Sequence, residues 1–367
     1  MHKLFPVLSK FSNIKIIIPG LVLALVFCLF AQGINNLLAI EIFNTQKSPI
    51  STVLIAIILG IIMGNAFTPR PGMMIGLDFT QQYILKLGII FLGIRLSFAD
   101  FIKFGSVAIP LVIFCILGVL ILIKLLIKKV PISSKMSYLI AIGTSVCGAT
   151  AIVATAPVIN AKKTEIAYAI ANITLFGVIA MVVYPYFAAW YFDNNALDVG
   201  LFLGTSIHET SQVAAAGLIY DQQFNNPETL NVATVTKLIR NTFLVILIPL
   251  FAFLYNRGEF KDQKYSILNI FPYFVLGFIG MIILRNLGDQ LFSVESDNYY
   301  AWSQFIEYLK ILATVFLTMA MAAVGISINL SELKSMGYKP FVVGLIAAVT
   351  VGIISLIYIQ TLKIFLI

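Results

Sequence analysis

The sequence predicts an all-α, polytopic membrane protein with about 9–11 transmembrane helices. Of its 367 residues, 60% are hydrophobic and only 11% are charged, which is less than half the charged share of soluble domains. The mean hydropathy is +0.99. The apolar residues form runs near the length of a helical span, whereas an outer-membrane barrel shows alternating ten-residue segments. A soluble fold could not cover its surface with so few charges, and a disordered chain would be less hydrophobic.

Charge-poor stretches mark eleven membrane segments, and the first is interpreted as a span because it is too long for the apolar core of a signal peptide. Two of them, Met136–Ala161 and Val199–Tyr220, contain Gly-Thr-Ser and many small polar residues. The nine with ordinary apolar composition are Ile14–Phe30, Ser51–Phe67, Gln81–Ile94, Phe104–Ile123, Ile166–Phe192, Asn241–Asn256, Tyr265–Leu284, Ile311–Ser331 and Phe341–Leu362.

Basic residues in the loops predict the orientation, because lysine and arginine are enriched on the cytoplasmic side. Three lysines before or at the start of the first span place the N-terminus in the cytoplasm of a bacterial cell, with the chain as a multi-pass protein of the inner membrane. If Met136–Ala161 crosses the bilayer, Lys162–Lys163 lies outside; if it enters and returns, these lysines stay inside. We favour re-entrant or broken helical hairpins at both Met136–Ala161 and Val199–Tyr220.

An internal repeat is predicted from FLGIRLSFADFIKFG at Phe91–Gly105 and AVGISINLSELKSMG at Ala323–Gly337, which align at a constant offset of 232. The aligned pairs are Gly93 with Gly325, Asp100 with Glu332, and Gly105 with Gly337. An odd number of crossings separates the copies, so the repeat is inverted, as in many secondary transporters. The alternative is chance similarity between glycine-rich helix ends. We interpret residues 1–367 as one transmembrane transporter domain, with repeat elements around 81–161 and 199–362.

The two polar segments also resemble each other, because GTSVCGATAIVA at Gly143–Ala154 and GTSIHETSQVAA at Gly204–Ala215 share their opening tripeptide. Broken helices at membrane depth present N–H groups and a positive dipole end to an anion. The candidate anion ligands are Gly143, Thr144, Ser145, Cys147, Gly148 and Thr150 from the first segment, and Gly204, Thr205, Ser206, Thr210, Ser211 and Gln212 from the second. The alternative is that small residues and hydroxyls only pack helices together.

Charged residues add candidates beside these segments. His208 and Glu209 are an adjacent ionisable pair in an apolar segment, and we interpret them as coupling residues for H⁺ or Na⁺, with a structural pair as the alternative. Lys237, Arg240 and Asn241 begin the following span in our interpretation. They either line an anion site or snorkel to the interface.

These motifs resemble the YeiH-type family of bacterial integral membrane proteins, which carries the name of sulfate exporters. The resemblance rests on GTSVCGATAIVATAPVI, GTSIHETSQVAAAG and TVTKLIRNTFLV, and it covers nearly the whole chain. It implies an inverted-repeat carrier with discontinuous helices, whose functional positions map to Gly143–Thr150, Gly204–Gln212, Lys237 and Arg240. We therefore expect a secondary active transporter for a small anion, such as sulfate, an organic sulfonate or a carboxylate.

Other functional classes fit the sequence less well. A cation/proton antiporter that uses Glu209 and His208 is the alternative transport function. No nucleophile–base–acid set, metal cluster or P-loop is visible, so we expect neither an enzyme nor an ATP-driven pump, and no cofactor or metal. The three cysteines lie in apolar runs and do not form the pattern of a disulfide framework or a metal cluster. The basic residues are spread over short loops, so nucleic acid is not an expected partner. The expected partners are the lipid bilayer, the anion and a second copy in a homodimer.

Overall fold

The described part of the chain consists of helices joined by short turns and irregular segments. The computed structural model describes residues 14–42, 48, 50–67, 69–126, 133–255, 272–292, 298–329, 331 and 338–366. Within these residues there is no β-strand, and the helices include eight that are long and apolar enough to cross a membrane. The predicted class, an all-α polytopic membrane protein, is confirmed.

Fifteen α-helices are described, and we number them in chain order. They are α1 (Ile14–Leu37), α2 (Thr52–Ala66), α3 (Pro71–Phe79), α4 (Leu85–Leu92), α5 (Phe98–Leu126), α6 (Ser134–Ser145), α7 (Ala149–Thr155), α8 (Lys163–Tyr191), α9 (Ala196–Ser206), α10 (Thr210–Phe224), α11 (Pro227–Thr242), α12 (Leu244–Tyr255), α13 (Phe274–Leu291), α14 (Tyr299–Ser327) and α15 (Tyr338–Leu366). Turns of π-helix at Leu38–Ile42 and Thr80–Ile84 and a 3₁₀ turn at Gly93–Arg95 extend or join them.

The candidate spans differ from the predicted segments in their bounds. The eight are Lys15–Ile42, Pro71–Arg95, Phe98–Ile123, Lys163–Tyr191, Pro227–Phe251, Phe274–Leu291, Tyr299–Ser327 and Pro340–Leu362. The span predicted to start at Asn241 starts at Pro227, so Lys237 and Arg240 lie within it and not at its beginning. The predicted start at Tyr265 lies outside the described residues. Thr52–Ala66 and Ala196–Ser206 are apolar but shorter.

Contacts group the chain into two compact units, each built from two segments. The first unit comprises Met1–Leu96 and Gly277–Ser331, and the second comprises Ser97–Leu276 and Glu332–Ile367. The single transporter domain over residues 1–367 stays a prediction. Every predicted site residue belongs to the second unit.

Close helix crossings at glycine hold the first unit together. A Cβ on Gly60 of α2 would lie 2.5 Å from the Ala322 carbonyl oxygen of α14, and one on Gly325 would lie 2.5 Å from the Ile57 carbonyl oxygen. Such crossings let helix backbones approach where lipid gives no hydrophobic drive for association. A side chain at either glycine would separate the two helices.

The two predicted repeat copies share local geometry at their helix ends. The Leu96 N–H donates to the Gly93 carbonyl at 3.2 Å, and the Ile328 N–H donates to the Gly325 carbonyl at 3.1 Å. Gly93 aligns with Gly325, and Leu96 aligns with Ile328. Residues 330 and 332–337 lie outside the described part. They include Glu332 and Gly337, the aligned partners of Asp100 and Gly105. The inverted relation of the copies stays a prediction.

In the second unit, the first polar segment doubles back on itself. The Lys135 ammonium donates to the Asn160 carbonyl at 2.7 Å, and the Ser133 hydroxyl donates to the Glu165 carboxylate, so the two ends of the segment meet. The helices α6 and α7 therefore form a hairpin, which we name the first hairpin. They are separated by the first break, Val146–Gly148.

The second polar segment doubles back in the same way. Helices α9 and α10 form the second hairpin, and its ends meet where the Tyr220 hydroxyl donates to the Asn194 side chain at 3.0 Å. The second break, Ile207–Glu209, has extended backbone at Ile207 and Glu209. Whether either hairpin enters and leaves the bilayer on one side stays a prediction.

The first break depends on a glycine with an unusual backbone. Gly148 has φ +70° and ψ −127°, a conformation that side chains with a Cβ rarely adopt. A Cβ there would also lie 2.5 Å from the Glu209 Cγ atom. The glycine thus reverses the chain between α6 and α7 and leaves room for a side chain of the other hairpin.

Candidate functional site

The Lys237 side chain joins the two helix breaks. Its ammonium group donates to the carbonyl of Val146 at 2.8 Å, to that of Ile207 at 3.0 Å, and to that of His208. An ammonium group carries three hydrogens, so all three are engaged by backbone oxygens. Lys237 is fully buried, and these contacts place it between the two hairpins.

The Arg240 guanidinium makes the same connection one turn later on α11. Its Nε donates to the Ser145 carbonyl at 2.7 Å, and its terminal nitrogens donate to the carbonyls of Thr144, Thr205 and Ile207, the last at 3.2 Å. Arg240 is also fully buried. Snorkelling, one of the two interpretations of this pair, is therefore wrong for both side chains: their cationic ends bind interior carbonyls.

These cations lie at the negative ends of two helix dipoles. The accepting carbonyls belong to the last turns of α6 and α9 and to the residues just after them, which have no intrahelical donor. Cations stabilise a helix C-terminus, and more strongly where burial limits screening by water. Lys237 and Arg240 thus stabilise the two breaks and hold the hairpins together. We name the two breaks with these two side chains the tip site.

The Glu209 carboxylate lies at the positive end of a helix from the other hairpin. It is within hydrogen-bonding reach of the Ala149 N–H at the start of α7. It also accepts a bond from the Thr174 hydroxyl of α8 at 3.4 Å. The predicted anion position at the N-terminus of α7 is therefore taken by a carboxylate of the protein itself.

Several buried polar side chains around the cations have no hydrogen-bond partner among the described residues. They include both ring nitrogens of His208 and the hydroxyls of Thr144, Ser145 and Ser206. Each of these residues is at most 1% exposed. Buried polar groups are rarely left unpaired, so such a cluster indicates a position for water, an ion or a ligand. Arg240 binds the backbone carbonyls of Thr144 and Ser145, and Lys237 binds that of His208, so these unpartnered side chains belong to the residues that the two cations hold.

Other predicted ligands are engaged in packing. The Thr205 hydroxyl donates to the Leu201 carbonyl at 2.7 Å and lies 2.7 Å from the Ser355 hydroxyl of α15. The Gln212 amide donates to the Thr174 carbonyl at 3.2 Å and abuts Gly177 of α8. These two residues fix the second hairpin to its neighbours.

The remaining predicted residues divide between packing and the surface. Gly143 faces Ile152 within the first hairpin, and Gly204 faces Thr236 of α11. Thr150 is exposed on α7. The remaining three are Asn241, whose amide donates to the Thr210 hydroxyl at 2.9 Å, the buried Ser211, and Cys147, which lies half-buried in the first break.

Sequence reasoning missed Ser355, and it left open whether Thr174 lines a cavity or only bonds between helices. Each of these two residues lies in a long apolar helix and in no motif, so only its three-dimensional position relates it to the hairpins. No group of three or more His, Cys, Asp or Glu side chains that could hold a metal occurs in the described part of the chain. The tip site therefore offers hydrogen-bond donors and charged side chains.

Comparison with known proteins decides the family. Residues 19–344 match the family described as conserved hypothetical protein 698. The chain belongs to this family, which is commonly called YeiH-like. It is 33% identical to a UPF0324 membrane protein of Streptococcus agalactiae, over 92% of this chain and 94% of that protein. It is 32% identical to one of Fusobacterium nucleatum, over 86% and 91%, and 27% identical to one of Clostridium tetani, over 94% and 96%. No solved structure matches.

Proposed function

We propose that this YeiH-like protein is a secondary active transporter that binds a small anion at the tip site. The observation that carries the proposal is the set of buried polar side chains at the two helix breaks that have no partner among the described residues, on the same short stretches whose backbone carbonyls bind Lys237 and Arg240. Sulfate, an organic sulfonate or a carboxylate has the acceptor oxygens that such donors bind. In this proposal the protein is not an enzyme and requires no cofactor.

The donors available at the site favour an anion. Thr144, Ser145 and Ser206 can each donate a hydroxyl hydrogen, and neutral His208 can donate one N–H. Two buried cations and one carboxylate leave the tip site with a surplus of positive charge. An anion bound here replaces lost hydration with protein hydrogen bonds, which a buried charge requires.

Lys237 and Arg240 attract the anion by their positive charge, and their carbonyl contacts hold the two breaks together. All three hydrogens of the Lys237 ammonium are engaged by carbonyls, and one N–H hydrogen of Arg240 stays free for a ligand. We therefore assign direct contact with the anion to the hydroxyls of Thr144, Ser145 and Ser206, to the His208 ring and to the remaining Arg240 N–H. This assignment narrows the site that the motifs predict.

The transport cycle follows from the two hairpins. In our proposal both re-enter the bilayer of the bacterial inner membrane, with the N-terminus cytoplasmic, and place the tip site near its midplane. The unit that carries them moves as a body and exposes the site to each side in turn. The net of carbonyl contacts to Lys237 and Arg240 keeps the two breaks together during this movement.

Thermal stabilisation of the purified protein by anions tests the proposal. A ligand that binds the folded state raises the unfolding temperature by mass action. We expect one class of oxyanion to raise the unfolding temperature. In Ser206→Ala and in His208→Ala, about ten times more anion should be needed for the same rise. Ser106→Ala is the matched control, because Ser106 is an exposed serine on α5. If both Ser206→Ala and His208→Ala respond to the anion as the wild type does, the proposed site is contradicted.

A cation/proton antiporter is the competing outcome of the same experiment. It would use the Glu209 carboxylate with the carbonyls that Lys237 now occupies. In that case sodium or another cation would stabilise the protein, anions would not, and Glu209→Gln would abolish the response. A homodimer is proposed on the resemblance alone and does not affect either reading of the site.

A further inference from the structure

We infer that the protonation of Glu209 determines whether the tip site accepts a monovalent or a divalent anion. This inference rests on the proposed anion-binding function and deepens it. It follows from the charges that the two hairpins and α11 bring together. The occupant is identified only by its valence and its oxygen acceptors.

The charged groups at the site can be counted from its contacts. Lys237 and Arg240 supply two positive charges, and the ionised Glu209 supplies one negative charge. The other titratable groups that face these residues are His208, Cys147 and Cys115. We count the imidazole as neutral because it lies beside two cations, and neither ring nitrogen has a partner within the described chain. The thiols are neutral in their ordinary form.

With Glu209 ionised, the site has a surplus of one positive charge. A monovalent anion then makes the occupied site neutral, whereas a divalent anion leaves a net negative charge buried. With Glu209 protonated, the surplus is two, and a divalent anion makes the occupied site neutral. Uncompensated buried charge is costly, so the neutral combinations are favoured.

Glu209 belongs to the tip site through its contacts with the first hairpin. It follows His208 in the second break, and its carboxylate reaches the first break at Ala149 and Gly148. The unpaired hydroxyl of Ser206 lies three residues before it. A divalent anion would therefore enter together with one proton, and this coupling arises from charge balance without a separate proton pathway.

Two probes of matched chemistry test the inference. Sulfate and methanesulfonate are both tetrahedral oxyanions of sulfur, they differ in charge, and neither titrates near neutral pH. We would measure their dissociation constants for the full-length protein in detergent at pH 6 and pH 8. The ratio of sulfate affinity to methanesulfonate affinity should rise roughly tenfold or more at the lower pH, because removing one negative charge favours the dianion twice as strongly.

The variant Glu209→Gln should make that ratio independent of pH and keep it at the high value. Glu228→Gln is the matched control, since Glu228 is exposed in the first turn of the same helix as Lys237. A ratio that stays constant in the wild type, or a pH dependence that persists in Glu209→Gln, would overturn the inference. If that variant does not fold, the wild-type ratio alone decides. Absence of binding by either anion at both pH values would instead refute the proposed function.

Discussion

Replacing Gly148 by alanine tests whether the first break has the geometry described above. The residue has φ +70° and ψ −127°, where a Cβ adds about 1–3 kcal/mol of backbone strain. The new methyl group would lie 2.5 Å from Glu209 Cγ and 3.2 Å from its Oε1, which adds an overpacking cost of about 1–3 kcal/mol. We expect Gly148→Ala to destabilise the protein by about 2–6 kcal/mol.

Thermal unfolding in detergent measures this effect as a fall in the unfolding temperature. Gly33→Ala is the matched control, because Gly33 lies in α1 and a Cβ there meets nothing within 4 Å. Alanine should stabilise that helix slightly, by about 0.5–1 kcal/mol. If Gly148→Ala and Gly33→Ala unfold at the same temperature, the left-handed conformation at Gly148 and the contact with Glu209 are refuted.

Three further predictions concern the groups around the tip site. Lys237→Met should lower the unfolding temperature far more than Lys163→Met, because it leaves the carbonyls of Val146 and His208 without this donor, at about 1–3 kcal/mol each, whereas Lys163 is exposed; equal effects would contradict the buried contacts. Thr205→Val should cost about 1–3 kcal/mol in chemical unfolding by leaving Ser355 unpaired, and Thr205→Ser should restore most of it; no rescue by serine would refute the pairing. A maleimide should label half-buried Cys147 before the buried Cys28 and Cys115, and a bound anion should slow that labelling, as mass spectrometry of the modified peptides would show; faster labelling of Cys115 would argue against the described burial.

The helical class and the two hairpins were predictable because their signals are local. Long apolar runs identify spans, and a Gly-Thr-Ser tripeptide within such a run marks a helix that is interrupted. The chain reverses close to these tripeptides, at Val146–Gly148 and Ile207–Glu209. The bounds of α11 were not predictable in the same way. Lys237 and Arg240 resemble the charged end of a span, and the carbonyls that make their burial tolerable come from distant residues.

The roles of individual side chains were less predictable than their locations. The motif treats Thr205 and Ser206 alike, yet the Thr205 hydroxyl is bonded to its own helix and to α15, whereas the Ser206 hydroxyl has no partner among the residues that the structure describes. The difference depends on which face of α9 each residue occupies and on what packs there. The same reasoning explains why Ser355 escaped notice, since its partner is 150 residues away in sequence.

The most direct test of the central claim is a cryo-electron microscopy structure of the protein with sulfate or methanesulfonate bound. We predict density for the anion within about 3 Å of the Ser206 hydroxyl and the His208 ring. In the same map, Lys237 should still donate to the carbonyls of both breaks. Anion density elsewhere in the protein would contradict the account. So would a Lys237 ammonium that leaves those carbonyls to bind the anion itself.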